Sequence, residues 1–457
     1  MKKNRTESTV IEEVSSYISQ GGEGELPAEV IREAKHHILD TLAAMVSGSA
    51  LKPGQLARKF VETQGGAKEA QVVGSPLISS AINAALANGM MAHADETDDS
   101  HAPSGTHPGC AIVPAALSVA EREEVDGMSF LRGVVVGYDI GCRVTQALGP
   151  RNLSTAHRSS HSIGSIFGAA AAAASILGLK DELVRYVLSY TAQQTSGVLY
   201  WSRDVEHIEK AFVFAGMPAR NGVTAAVLVK SGFTGVQDPF SGENNFFEAF
   251  SPESKPELLV EGLRSHYEVA FTNIKKFSVG SPIQAALDAL LVLMEKHRFT
   301  SKDVKSVIAR LPGGGARLVN NRDMPDINLQ YILAVALLDG KLTFEAAHSY
   351  SRMNDPAVLK LKKLIELQED PILSAGRPTR QGIVEVTTKD GTQLREHVVN
   401  VRGTAENPMT TKEIENKCQE LLTPVLGEAR TRELIDKISH LERVRNVRQL
   451  RPLLSVS

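Results

Sequence analysis

The sequence predicts a mainly α protein: a large all-helical domain interrupted by a smaller α+β domain. Three patterns carry that prediction. Apolar residues recur at helical spacing from residue 27 to about 229, strand formers cluster between about 271 and 401, and helical spacing returns after Asn407-Pro408. The expected division is a helical domain over 1–270, an α+β insertion over 271–401, and a helical return over 402–457 that packs back on the first domain. At 457 residues the chain exceeds the roughly 250–300 at which a single core stops growing.

The first helix signal is Val30, Ile31, Ala34, Ile38, Leu39, Leu42, Ala43 and Val46, behind Pro27, whose fixed φ suits a first turn. Segments 80–89, 114–122, 130–148 and 165–179 are rich in Ala and Gly, small enough for helix axes to approach closely, and read as central helices. Segment 282–297 remains helical, while 304–311 reads as a strand. Ile383-Val384-Glu385-Val386-Thr387-Thr388, then Lys389-Asp390-Gly391, then 392–401 spell a hairpin around an Asp-Gly turn. Leu311-Pro312-Gly313-Gly314-Gly315-Ala316 reads as a turn, since it lacks the lysine of a phosphate-binding loop. Segments 411–422 and 428–438 close the chain as helices. The first nine residues, polar and charged, read as a short disordered tail with no apolar leader behind it.

Fifty Lys+Arg against 53 Asp+Glu leave a net charge of −3, without the basic excess of a nucleic-acid-binding surface. The most apolar stretch, 166–179, is shorter than the ~20 residues of a membrane span. Cys110, Cys142 and Cys418 are odd in number and far apart, so neither a disulfide framework nor a CxxC motif can be written. The expectation is a cytoplasmic protein with no nucleic-acid or membrane partner, whose anionic partner is a small molecule.

The densest polar cluster runs from His93 to His107 and holds Asp95, Glu96, Asp98, Asp99 and His101 between two apolar helical segments. A solvated acidic loop is the plain alternative. Interleaved His, Ser and Thr, flanked by helices of small residues, favour a site. His93, Asp98, Asp99, His101 and His107 could in principle ligate a metal, but their spacing matches neither the zinc patterns nor the EF-hand loop, and no metal is expected. A second cluster, His157-Arg158-Ser159-Ser160-His161, opens the alanine-rich helix, where unpaired backbone N–H groups and imidazoles suit a carboxylate. Lys210 and Lys275-Lys276 lie in two further basic segments, the second at the expected domain junction, a favoured place for a ligand cleft. There is no GxGxxG after a strand and no GxSxG elbow.

Taken together, Asn88-Gly89 before Ala92-His93, Asp98-Asp99-Ser100, His107-Pro108, Phe167-Gly168-Ala169-Ala170, Arg220-Asn221-Gly222, Lys275-Lys276-Phe277 and Gln330-Tyr331 before Leu337-Leu338-Asp339-Gly340 resemble the MmgE/PrpD family. Its members include 2-methylcitrate dehydratase, cis-aconitate decarboxylase and iminodisuccinate epimerase. The resemblance implies a helical domain built from both chain ends, an inserted α+β lid, a homodimer, and an interdomain cleft that works without metal or organic cofactor. It places the family's active-site acid, hydroxyl and first histidine on Glu96, Ser100 and His107, its later histidine on His157 or His161, its lysines on Lys210 and Lys275, and its tyrosine on Tyr331. Asp95, one residue from register, is the other candidate acid, and Gly280 stands where the decarboxylases carry a histidine.

The expected chemistry is proton abstraction next to a carboxylate, with the developing charge held by cations and aimed N–H groups. His107 or His161 would be the base, Glu96 its orienting partner and Tyr331 the acid, with Ser100, His101, Lys210, Lys275 and Asp95 binding substrate. Dehydration of a 2-methylcitrate-like hydroxy acid is the leading expectation, and epimerisation or decarboxylation of a related di- or tricarboxylate its alternative. A non-catalytic, carboxylate-binding helical dimer is the reading from another class.

Overall fold

The computed structural model describes residues 9–21 and 24–456. Residues 1–8 of the expected tail lie outside the described residues, while Thr9 caps the first helix, Val10–Ser19, with its side chain.

The molecule is mainly α. The Ser160–Ile176 helix lies at its centre, with every residue from Ser162 to Ala174 buried. Its neighbours are Gly127–Leu148 on one side, Met217–Lys230 on another, and Gly109–Glu123. Alanine and glycine on these helices permit the close approach. A Cβ placed on Gly168 would stand 2.7 Å from the carbonyl oxygen of Gly137, and one on Gly164 would stand 2.7 Å from that of Gly141. Backbones this near leave room only for hydrogen at those positions.

One buried apolar cluster draws on residues from Ile11 to Ile274 and again from Met409 to Leu454. A second comprises residues from Val279 to Val386. The C-terminal helix Thr411–Leu426 packs along Ala28–Ser49. There Lys417 pairs with buried Asp40 at 2.6 Å and donates to the Thr97 carbonyl at 3.1 Å.

Two short strands, β1 (Ala70–Gln71) and β2 (Ile78–Ser79), pair in the first region. The second cluster is built on a four-stranded sheet of β3 (Val304–Leu311), β4 (Ile365–Glu369), β5 (Gly382–Thr388) and β6 (Gln393–Val398), in the order β4-β3-β5-β6. Strands β3 and β4 are parallel, with Val307 opposite Ile365, and the other neighbours are antiparallel. The expected hairpin is β5–β6, with Val384 opposite Glu396 and Gly391 at φ +93° in the turn. Val304, Val307, Ala309 and Leu311 turn inward on β3, where Gln284–His297 and the buried helix Leu329–Asp339 complete the core.

One expectation differs from the structure. The glycine run is not a turn: Gly313–Val319 is a short helix behind Pro312, whose carbonyl accepts from Ala316. A longer helix than the apolar stretch 166–179 is Ile208–Lys230, long and apolar enough by length and composition to cross a membrane, yet 61% of its most apolar window is buried inside the protein. Its first part passes through a π-helical turn, Phe212–Gly216, a feature often found at functional sites.

Candidate active site

The His93–His107 segment is no solvated loop. Asp98 and Asp99 are fully buried, and Asp95 and Glu96 are nearly so. It joins the Ala81–Ala92 helix to Gly109–Glu123. Asp99 anchors it: one oxygen accepts from the Gly109 N–H at 2.9 Å, and the other takes the Tyr138 hydroxyl at 2.5 Å and faces His37 Nδ1 at 2.8 Å. Burial opposes charge on His37, but Asp99 outweighs it and the imidazole pKa is raised. Ser100 forms a two-way backbone bridge with Asn273, at 3.0 and 2.8 Å, tying the loop to the junction between the two clusters.

Asp98 is the carboxylate behind His107. Its Oδ2 faces His107 Nδ1 at 3.1 Å and His93 Nδ1 at 2.9 Å. Glu96, expected in that role, instead binds the ammonium of Lys210 and lies 3.3 Å from that of Lys275. Lys275 also donates to the Glu96 carbonyl at 2.9 Å and reaches Asp98 Oδ1 at 3.5 Å. Burial alone would raise the pKa of both acids. The lysines around Glu96, and the imidazoles and Lys275 around Asp98, overcome it and hold both carboxyls well below their usual range. The same pairing lifts Lys275 against the burial that would lower it.

Of the two candidate histidines in the second cluster, the structure places His161 in the site. His157 is exposed in a turn at φ +59° and lines neither cavity of the site. His161 lies in the first turn of the central helix and stacks on Phe214, with centroids 3.9 Å apart and planes at 14°. His93 stacks on the opposite side of the same ring at 4.4 Å, so the π-turn presents Phe214 between two imidazoles. Ring centroids step from His207 to His93 to His107 to His161 at 5.1, 5.3 and 5.3 Å. Burial, reinforced by neighbouring positive charge, pushes His161 and His207 well below the ordinary imidazole range, and burial against the pull of Asp98 leaves His107 lowered as well.

His107, His161, Glu96 and Lys210 face one open cleft, a concave setting of the kind small ligands occupy. The wall opposite comes from the second cluster and is largely apolar, with Leu318, Val319, Met324 and Ile327 beside Gly280. A wider space shares His107, His161, Trp201 and Arg380 with this cleft and reaches Ser100 and His101.

The remaining candidates sit elsewhere. Tyr331 is buried in the second cluster, where its hydroxyl donates to the Ala346 carbonyl at 2.5 Å and burial raises its pKa to about 12. It does not line the cleft. His101 is occupied by Ser104 at 2.8 Å and Glu268 at 3.1 Å. Asp95 accepts from the Thr97 N–H and faces His348 at 3.7 Å, outside the cleft. His93, Asp98 and Cys110, and likewise His93, Glu96 and His207, come close enough to surround an ion. Their carboxylates, however, are already engaged by the imidazoles and lysines described above.

Sequence reasoning missed Trp201, Phe214, Arg322 and Arg380. Phe214 continues an apolar helical pattern and reads as core, and Arg380 falls in a loop with nothing beside it in sequence to suggest a cleft. The apolar strip was readable only as the interior of a second domain.

The MmgE/PrpD N-terminal domain model matches residues 12–259 and the MmgE/PrpD C-terminal domain model matches 277–442. A cis-aconitate decarboxylase-like protein of Aspergillus oryzae is 25% identical over 98% of both chains. The cis-aconitate decarboxylase of Mus musculus is 24% identical over 93% of this chain and 89% of its own. A 2-methylcitrate dehydratase-like protein of Aspergillus oryzae is 27% identical over 34% of each.

Proposed function

Because the chain belongs to the MmgE/PrpD family, we propose that it is a lyase of small di- or tricarboxylates that breaks a C–H bond next to a carboxylate. The leading reaction is dehydration of a 2-methylcitrate-like hydroxy acid. The observation that carries the reading is the Asp98–His107 pair at the wall of a cleft that also holds His161 and Lys210.

With Asp98 accepting from Nδ1–H, His107 keeps the lone pair on Nε2 for a proton from carbon, and the carboxylate stabilises the imidazolium that forms. Charge then develops on the substrate carboxylate as an enediolate. Lys210, which lines the cleft beside His107, is the cation to meet it. Tyr331 lies outside, so the new imidazolium is itself the acid: it returns its proton to the departing hydroxyl as the C–O bond breaks, and water leaves. The orientation of His107 is thus the work of Asp98, and Glu96 holds the lysines in place.

The lowered pKa of His107 and His161 favours this order of events. An imidazole that starts neutral has the lone pair a base needs, whereas a decarboxylation that begins by protonating carbon needs an imidazolium at the outset. Gly280, with no side chain to offer a proton, works in the same direction. The full-length likeness to decarboxylases keeps decarboxylation, and with it epimerisation, as the second reading.

The test is a panel of citrate-like hydroxy acids and their unsaturated products, followed for alkene absorbance, bicarbonate release and solvent deuterium in recovered substrate. Alkene formation that His107→Ala abolishes is the expected result. Deuterium uptake without alkene would establish the epimerase, and bicarbonate release the decarboxylase. A binder without turnover on any member would sink the enzymatic reading.

A further inference from the structure

The positive charges in and beneath the cleft divide into two kinds. Lys210 and Lys275 are already balanced, the first by Glu96 and the second by Glu96 and Asp98. Arg322 spends part of its guanidinium on the Ser202 carbonyl at 2.7 Å. Arg380 is different: it lines both the cleft and the wider space beside it, and makes neither a hydrogen bond nor a salt bridge with any described residue.

A guanidinium drawn partly out of water without an acceptor in hydrogen-bond reach is costly, because the lost hydration is offset only by the field of Glu96 at a distance. Burial lowers its pKa, yet it remains a cation across the physiological range. Its position is also fixed. It stands two residues before β5, and the adjoining Gln381 donates to the Pro378 carbonyl at 3.1 Å and accepts from His397 at 3.0 Å. The fork is therefore presented by the sheet of the second cluster, across the cleft from imidazoles that belong to the first.

We infer that Arg380 is a specificity-determining residue that binds a second carboxylate of the substrate while the carboxylate next to the reacting carbon lies at the Lys210–His107 end. The inference rests on the di- or tricarboxylate lyase reading above and adds to it the residue that anchors the second carboxylate. A planar fork with all its donors unspent matches a carboxylate in bidentate fashion, which a lysine cannot reproduce. The apolar strip of Leu318, Val319, Met324 and Ile327 would lie along the carbon skeleton between the two anchors.

The test measures binding by calorimetry on the full chain, using tricarballylate, a saturated tricarboxylate with no hydroxyl to lose, and propionate as a monocarboxylate. Wild type, Arg380→Met and Arg380→Lys are compared, with thermal unfolding as the control for folding. Arg380→Met is expected to weaken tricarballylate about 10–100-fold, the range for a charged hydrogen-bonded pair, and to leave propionate unchanged, with Arg380→Lys in between. In turnover the loss should fall on KM more than on kcat. Equal tricarballylate affinity in wild type and folded Arg380→Met overturns the inference and leaves the lyase reading standing. Wild type that binds neither acid overturns both.

Discussion

A single oxygen, Asp98 Oδ2, serves two imidazoles, His93 at 2.9 Å and His107 at 3.1 Å. The shared acceptor fixes the orientation of both rings, and it is shut away from solvent. Asp98→Asn keeps the shape and replaces an acceptor with a group that can donate, so His107 loses its working tautomer. The expected loss in kcat is about 10²–10⁴-fold, with far-UV circular dichroism unchanged. A variant with near-normal kcat would remove Asp98 from the mechanism.

The two lysines should fail differently when replaced. Lys275 is buried and holds Glu96 and Asp98 together. Lys275→Met removes the one cation shared by those two buried acids and is expected to cost up to about 3–5 kcal/mol of stability, read by chemical denaturation, along with activity. Lys210 reaches the cleft itself, and Lys210→Met should reduce kcat by a larger factor than it reduces stability. Similar stability losses in both would contradict this division of labour.

Acid should loosen the fold through the imidazoles before it reaches the carboxylates. The folded-state pKa of His107, His161 and His207 is depressed, so their contribution is complete above the unfolded value of about 6.5 and is lost as pH falls through the depressed values. Glu96 and Asp98, also depressed, add a loss of the same sign further down. His37, raised by Asp99, acts in the opposite sense, as does Asp139, lifted to about 7 by burial. The comparison that isolates one group is His161→Gln: between pH ~7.5 and ~5 its melting temperature should drop less than that of wild type. An equal drop would mean that His161 is not held neutral by the fold.

Tyr331 offers a control. Its hydroxyl meets a backbone carbonyl and not the cleft, so Tyr331→Phe is expected to cost about 0.5–1.5 kcal/mol and to leave kcat within a few-fold of wild type. A collapse of kcat with stability intact would bring the phenol back into the chemistry.

The helix crossing beneath the site is equally specific. Gly168→Ala drives a methyl toward the Gly137 carbonyl and should cost about 1–3 kcal/mol, measured by urea unfolding. A neutral result would show that the helices can separate without loss.

The sequence showed these elements to different degrees, for physical reasons. Ala and Gly spacing exposed the central helices because close packing demands small residues along a whole face. Alternation and an Asp-Gly turn exposed β5 and β6. Strand β4 passed unnoticed: Ile365 to Glu369 carries only two apolar residues, and its pairing with Val307 is parallel and distant in sequence. His107, Lys210 and Lys275 stood out because charged groups among small apolar helices need a reason. The exchange of roles between Glu96 and Asp98 did not, because the two lie two residues apart and only the fold decides which one meets the imidazoles. Tyr331 carried the right family motif but points into the second core.

Lys417 clasps the Thr97 carbonyl from 320 positions further along the chain. During synthesis the acidic segment therefore emerges long before the ammonium that secures it, and Asp40 waits longer still for its counter-charge. A ribosome that stops short of the Thr411–Leu426 helix releases a polypeptide bearing every imidazole and lysine of the cleft but not the strap that holds its floor, and such a product should be recognised by the cell as unfinished.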